Sequence, residues 1–453
     1  MVKTGEKTQI MVKKGRDKKG VGQGQPPIHF VPTQPAHNKP LPEGWKWVKL
    51  GEVCEKVESV KRSNQDPKKE FIYLDIGGID NVQNRIRDHK VYKWSDAPSR
   101  AQQIVRKNDI LFSTVRTYMR NIALVEGDDY DSQLASSGFC VIRTKKDVLD
   151  PRLAFYLSLS SIFLDPLNEL QTGSSYPAVR DSDVFSQVIP LPPLHAQHAI
   201  VSKIEELLSE LDKGKQQLET AQQQIKVYRQ AVLKWAFEGR LTNENVKEGE
   251  LPEGWILRPF NELGSWRGGG TPTKSRKDFW ENGNIMWVSP KDMKTQVIQD
   301  TIDKITLDAV ENSSTKLIPQ GSILFVVRSG ILRRTLPIAL TVNEVTVNQD
   351  LQAFTPDNLL PEYVYWYVAA KNEDIRKNCS KDGTTVESIE TVALKNYLVP
   401  VCKLNEQRMI VQRVESRLRV SDRLEETINQ NLAHAETLRQ SILKKAFEGK
   451  LVL

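Results

Sequence analysis

Cysteine is scarce in this chain, with four residues among 453, at Cys54, Cys140, Cys379 and Cys402. They stand far apart, with neither the paired spacing of a zinc site nor the density of a disulfide framework. That usage predicts a reducing compartment, the cytoplasm. Long apolar runs are missing too. No stretch approaches the roughly 18 residues that span a bilayer, and the basic, polar N-terminus has no apolar signal-peptide core. A Walker A loop and clustered metal ligands are absent, so a phosphate-hydrolysing or metal-dependent centre is not expected. His195 and His198 flank a predicted helix start, where surface or packing roles account for them.

What remains describes a soluble globular chain: 39% hydrophobic and 27% charged residues, at a length suited to two or three domains. The formal net charge of +7 suggests a nucleic-acid partner, but its location matters. Residues 1–40 hold Lys3, Lys7, Lys13, Lys14, Arg16, Lys18, Lys19 and Lys39 against Glu6 and Asp17, so six of the seven excess charges lie there. That segment reads as a solvated basic extension, with weak phosphate contact as the alternative. Bulk charge says little about the rest.

The rest is a repeat. Leu41-Pro42-Glu43-Gly44-Trp45 recurs as Leu251-Pro252-Glu253-Gly254-Trp255, and Ala236-Phe237-Glu238-Gly239-Arg240 as Ala446-Phe447-Glu448-Gly449-Lys450, both at an offset of 210 residues. Pro151 and Pro361, Gly173 and Gly383, and Gln197 and Gln407 keep that offset, while Ile110-Leu111-Phe112 matches Ile323-Leu324-Phe325 at 213, as small loop insertions would produce. Each copy is a mixed segment followed by a helical one.

In the first helical segment one seven-residue seam runs Ile204, Leu211, Leu218, Ile225, Val232. A second runs Ile200, Leu207, Gly214, Ala221, Tyr228, Trp235. The second copy keeps a looser ladder of Val414, Leu418, Ser421, Ile428, Ala435, Leu438 and Ile442. This period predicts a long helix packed on another helix, preferably its counterpart, with Gly239 and Gly449 as stops. In the mixed segments, 71–76, 109–112, 284–288 and 322–327 read as strands. Pro151 and Pro361 each open a helix whose aromatics are core.

These motifs together resemble the specificity subunit of type I restriction–modification systems. The resemblance rests on the doubled Leu-Pro-Glu-Gly-Trp and the loops Gly173-Ser174-Ser175 and Gly383-Thr384-Thr385. It also rests on Pro190-Leu191-Pro192-Pro193 leading to Gln197, and on the Ala-Phe-x-Gly-Arg/Lys-Leu helix ends at 236–241 and 446–451. The second copy departs from the pattern at Val399-Pro400-Val401-Cys402, where the double proline is lost. The resemblance implies an α+β chain of two tandem mixed α/β target recognition domains, separated by two long antiparallel helices in an intramolecular coiled coil with pseudo-two-fold repeat. The expected boundaries are a basic N-terminal extension (1–40), first recognition domain (41–190), first spacer helix (191–242), linker and second recognition domain (243–400), and second spacer helix (401–453).

The implied function is non-catalytic DNA-sequence recognition, one half of an asymmetric bipartite site per domain, with half-site centres about one helical turn apart, roughly 10 bp. The chain also lacks the Asn/Asp-Pro-Pro-Tyr/Phe tetrad of amino-group methylation. The implied partners are double-stranded DNA, two modification (methyltransferase) subunits and the restriction (motor and nuclease) subunits, with no membrane. No cofactor is expected on this chain; S-adenosylmethionine, ATP and Mg²⁺ would belong to the complex. A specificity partner of a fused nuclease–methyltransferase, an enzyme acting alone, and a scaffold without DNA affinity are the alternatives.

Base reading needs donors and acceptors on loops that enter a groove. The candidates in copy one are Ser113, Thr114, Arg116, Thr117, Tyr118 and Arg120, with Gly78, Asn81 and Arg85 after the first strand. In copy two they are Arg328, Ser329, Arg333 and Arg334, with Lys291. The loops Thr172, Gly173, Ser174, Ser175, Tyr176 with Arg180, and Gly383, Thr384, Thr385, suit phosphate contact through backbone N–H and hydroxyl groups. Gly269, Gly270, Thr271, Thr273 and Lys274 form a third such candidate.

Overall fold

The structure, a computed structural model, describes residues 40–243, 245–381 and 387–451. Nearly all of the basic extension, and Gly383, Thr384 and Thr385, lie outside the described residues. The chain divides into two compact units: unit 1 is Met1–Glu206 with Gln440–Leu453, and unit 2 is Leu207–Arg439. Both divisions fall inside long helices.

In unit 1 the strand Ile110–Ser113 is central, flanked antiparallel by Phe139–Thr144 and Ile122–Leu124, with Cys54–Glu55 beyond. All four of its residues are buried, as in a strand covered on both faces. Leu111, Ala123 and Val141 pack on Leu74, Val105 and Phe139. Helices α1 (Pro151–Ser158) and α2 (Ser161–Glu169) follow, and Phe163 of α2 meets Phe112 edge-on at 5.7 Å. Helix α1 starts where expected, with Pro151 in its first turn and the Asp150 carboxylate capping the N–H groups of Arg152 and Leu153. A second mixed sheet runs Lys90–Lys93, Glu70–Leu74, Leu134–Ser136, Ala101–Ile104. Helix α3 (Asp181–Phe185) leads into the strand Val188–Leu191 and then helix α4 (Leu194–Phe237).

Unit 2 repeats the plan. Its five-stranded sheet runs Gly264–Gly268, Leu351–Pro356, Ile323–Val326, Ile338–Thr341, Val297–Ile298, and again every residue of the central strand is buried. A three-stranded sheet (Asp303–Ile305, Ile285–Val288, Thr346–Val347) and helix α5 (Leu307–Glu311) sit within it. Helices α6 (Pro361–Ala370), α7 (Asn372–Asn378) and α8 (Thr391–Asn396) precede α9 (Leu404–Phe447). Tyr363 and Tyr367 of α6 are core, as expected. Their hydroxyls donate to the carbonyls of Pro400 and Leu398 at 2.9 and 2.5 Å, which lets two polar tips be buried.

The repeat is structural down to register. Lys46–Lys49 pairs antiparallel with Val188–Leu191 and Ile256–Pro259 with Leu398–Val401, each position displaced by 210 residues. Helices α4 and α9 are each 44 residues long and start 210 residues apart. The lost double proline leaves this geometry unchanged, because the two buried glutamines hold it. Gln197 accepts from the Asp150 N–H at 2.7 Å and donates to the carbonyls of Val148 and Pro192. Gln407 accepts from the Leu360 N–H at 2.9 Å and donates to the Cys402 carbonyl.

Within unit 2 the two long helices run antiparallel. Asp212 meets Arg439, Gln222 meets Asn429 and Arg229 meets Asp422, so rising numbers on one helix match falling numbers on the other. The seam Val414, Ser421, Ile428, Ala435, Ile442 of α9 is buried throughout. Tyr228, Trp235 and Leu438, expected in a seam, are instead exposed (43%, 38% and 43%). A seven-residue period drifts about 20° per heptad on a straight helix, so a second seam cannot stay covered along its length. Both helix stops hold: Gly239 and Gly449 take left-handed φ of +75° and +68°. Each lies so close to a proline that an added Cβ would sit 2.0 Å from Pro252 Cγ or 2.1 Å from Pro42 Cγ. The helix end of each copy thus rests on a Leu-Pro-Glu-Gly-Trp motif.

Candidate nucleic-acid interface

Three segments of unit 1 converge beyond the central strand. The loop after Ser113 holds Arg116 and Arg120 in the left-handed region (φ 51° and 55°), one on each side of the 3₁₀ turn Thr117–Met119. That backbone is uncommon outside glycine and persists only where neighbours hold it. The holding groups are visible. Arg116 N–H donates to the Pro177 carbonyl at 2.7 Å. Asn84 Nδ2 donates to the Arg120 carbonyl at 2.9 Å and Asn81 Nδ2 to that of Met119 at 3.0 Å. Thr117 Oγ1 donates to Asn168 at 2.6 Å and also contacts Gln171.

The Gly-Ser loop is joined to this one. Arg116 Nη2 donates to the Ser175 carbonyl at 3.0 Å, its guanidinium lies 4.6 Å from the Tyr176 ring centre, and Val115 bridges Ala178. Gly173, at φ +103°, makes the turn. Thr172, Ser174, Ser175, Tyr176 and Arg180 are exposed. The third segment is the hairpin Ile79–Asp80/Arg85–Ile86, at which Asn81 and Arg85 are exposed. Asp80 fixes its turn: N–H groups of Gln83 and Val82 hold that carboxyl below the usual range.

Several expected residues have framework roles. Ser113, Thr114 and Thr117 are buried, and the hydroxyls of Ser113 and Thr114 donate to the carbonyls of Val115 and Gly138. Gly78 is buried, with no room for a Cβ beside the Asp88 carbonyl. The segment's most exposed groups are Tyr118, 55% exposed, and Met119, which residue type alone did not single out; Arg116 and Arg120 are half-buried. Asn84, Asn168 and Gln171 were also missed; their roles depend on partners 36 to 54 positions away.

In unit 2 the corresponding loop joins the corresponding segment. Arg328 bridges Ser388, and Ser329 N–H donates to the Glu387 carbonyl. Arg328 pairs with Asp350 (2.6 and 2.7 Å) and Arg333 with Glu387 (3.2 Å), while Arg334 is exposed. The acids orient both guanidiniums and partly offset their charge. Ser329 caps the turn Gly330–Arg333. The glycine-rich segment differs from a phosphate cradle. Gly270 is buried, its N–H donates to the Val347 carbonyl, and its carbonyl accepts from Trp287 Nε1. A Cβ on Gly269 would lie 2.1 Å from the Val347 oxygen. These glycines permit a close backbone approach, leaving Thr273 and Lys274 exposed and the Thr271 hydroxyl on Gln349. Lys291 is exposed on a separate turn.

The cysteines have no place in this chemistry. All four are buried and unpaired, and burial pushes Cys54 and Cys402 up to about 12 and Cys379 up to about 11. Among the described residues there is no group of three or more His, Cys, Asp or Glu able to hold a metal ion, and no helix is long and apolar enough to cross a membrane.

The profile of the type I restriction modification DNA specificity domain matches residues 42–221 and 252–434, one match per copy. The chain belongs to this family. Among its specificity-subunit relatives is that of the EcoR124I/EcoR124II enzyme of Escherichia coli, 42% identical over 197 residues, 43% of this chain and 47% of that subunit. That match spans about half the relative's length. The EcoKI specificity subunit of E. coli K12 is 25% identical over 427 residues, 91% of this chain and 90% of that one. The HsdS subunit of Thermoanaerobacter tengcongensis superimposes with a TM-score of 0.66 at 29% identity, covering 91% of this chain and 99% of HsdS. A chain from a solved type I restriction–modification system, studied for complex assembly and conformational transition, gives 0.76 at 29% identity, covering 91% and 100%. The specificity domain therefore occurs here twice, and in each copy the loop after the central strand bridges a matching segment, Val115 to Ala178 and Arg328 to Ser388, with different side chains.

Proposed function

We propose that this chain confers DNA-sequence specificity on a type I restriction–modification complex, each unit reading one half of an asymmetric bipartite site. The observation that carries the reading is the loop after each central strand, bridged to a matching segment in both copies but built from different residues. A pair of like frames with unlike surfaces suits two different half-sites. Arg116, Tyr118, Tyr176 and Asn81 in unit 1 and Arg328, Arg333 and Arg334 in unit 2 would face bases. Thr172 to Ser175, Thr273 and Lys274 would face phosphate.

The chain contributes recognition and no catalysis. Methyl transfer from S-adenosylmethionine would be performed by two modification subunits, and ATP- and Mg²⁺-dependent translocation and cutting by restriction subunits, in the cytoplasm. The paired helices would set the unspecified spacer between half-sites.

Mapping methylated adenines in the host genome tests this. The expected motif has two unlike halves around a spacer without sequence preference; a single continuous palindrome would refute the reading. Methylation or cleavage of DNA by the purified chain alone, given S-adenosylmethionine, ATP and Mg²⁺, would refute its non-catalytic half.

A further inference from the structure

Beside the loop after each central strand lies a tight turn that none of the motifs marked. In unit 2 it connects Thr346–Val347 to Leu351–Pro356. Val347, Asn348 and Leu351 are buried, and Gln349 alone projects as an exposed side chain. The turn is locked from both sides. Asn348 Oδ1 accepts from the Asp350 N–H and its Nδ2 donates to the Asp350 carboxylate, both at 3.0 Å. The Asp350 carbonyl accepts the N–H groups of Val327 (2.8 Å) and Arg328 (3.3 Å), while its carboxylate holds the Arg328 guanidinium. The tip is therefore fixed against the arginine loop.

Unit 1 builds the same lock from other groups. The turn between Leu134–Ser136 and Phe139–Thr144 has Ser136 Oγ accepting from the Gly138 N–H at 3.2 Å, and the Gly138 carbonyl accepting both the N–H and the hydroxyl of Thr114 at 3.0 Å. Ser137 is its exposed tip. Thr114 and Val327 stand 213 residues apart, the offset of the central strands, so the locks are counterparts. The lock is conserved between copies while the tip changes from serine to glutamine.

We propose that Gln349 is a specificity-determining residue of unit 2, presenting its side-chain amide to a base edge, with Ser137 in the same place in unit 1. This rests on the DNA-reading function above. The Thr271 hydroxyl donates to Gln349 Oε1, which orients the amide; Nε2 has no partner among the described residues. A carboxamide with one acceptor and one donor matches the N7 and N6 edge of adenine. Thr271 is a positioning residue for this contact.

The test uses the full chain assembled with its modification subunits, a randomised DNA library and S-adenosylmethionine, with methylated molecules sequenced. Gln349→Ala is expected to relax preference at a single base pair of one half-site by roughly 5- to 150-fold, leaving the other half-site unchanged. Gln349→Glu, an acceptor without the donor, shifts preference at that same pair toward cytosine. Thr271→Val loosens the same pair by a smaller factor. Full discrimination at every pair in Gln349→Ala overturns the proposal, as does uniform weakening at all pairs with a lowered melting temperature, which would mark a structural turn. A wild-type complex that selects no bipartite site overturns the DNA-reading function itself, a distinct result.

Discussion

One step beyond the central ladder, Asp109 faces Arg143 in unit 1, while the same register position in unit 2 holds Ser322 and Thr355. The guanidinium donates from Nε and Nη2 to both carboxylate oxygens at 2.9 and 2.7 Å, with side chains only 9% and 2% exposed. In unit 2 two hydroxyl oxygens lie 2.8 Å apart. Burial pushes the Asp109 carboxyl up, against the pull of Arg143 and the Arg106 N–H. The loops differ in a parallel way: unit 1 holds two arginines in left-handed backbone, and unit 2 holds Arg328 with Asp350 and Arg333 with Glu387. Equivalent frames thus tolerate unlike chemistry, provided each polar group is satisfied where it stands.

The sharpest way to break this comparison is to leave one partner alone. Arg143→Met should cost about 3–5 kcal/mol in denaturant unfolding, because a carboxylate stays buried without its cation. The sign with pH follows. A carboxyl with a raised folded pKa favours the folded state at low pH and loses that contribution as pH rises through the folded value. The variant's deficit should therefore narrow as pH falls from 7 toward about 4. The double change Asp109→Ser with Arg143→Thr, which transplants the unit 2 pair, should cost less than Arg143→Met alone; an equal or larger cost would show that the units are not interchangeable here.

Next in size are the two glutamines. Gln197→Leu and Gln407→Leu each strand buried backbone groups, for about 1–3 kcal/mol apiece. Gln197→Leu should be the worse, since its amide serves two carbonyls and that of Gln407 one. The reverse order in melting experiments would contradict the weight given to that second carbonyl. Smallest are the helix-pair arginines, counterparts 210 residues apart: Arg229 on Asp422 and Glu425, and Arg439 on Asp212. With Asp422 and Asp212 exposed and Glu425 only half-buried, Arg229→Ala and Arg439→Ala should each cost under about 1 kcal/mol, and less again at high salt.

Repetition made the frame legible. The doubled Leu-Pro-Glu-Gly-Trp, the Pro151 and Pro361 helix starts and the Gly239 and Gly449 stops are local signals, and the structure places them as sequence spacing predicts. The buried α9 seam from Val414 to Ile442 was equally readable. Tyr228, Trp235 and Leu438 were not, because periodicity names a face without saying how far a partner covers it. The interface was legible only as segments. Nothing local reveals that Thr114 spends its hydroxyl on Gly138, that Gly270 is buried under Trp287, or that Asn84 braces Arg120, since each partner lies 17 to 36 positions away. Gln349 carried no motif at all; only the lock around it sets it apart.

Gly239 rests on Pro252 just downstream in the chain, whereas its counterpart Gly449 rests on Pro42 near the start. The first contact is bridged covalently by residues 240–251; the second forms without that link. The joint needs proximity and no peptide bond at that point. A circular permutant, with residues 451 and 40 tied by a linker of similar length and the chain opened within 243–250, should fold to the same two units. Which copy is translated first is then a matter of gene order alone.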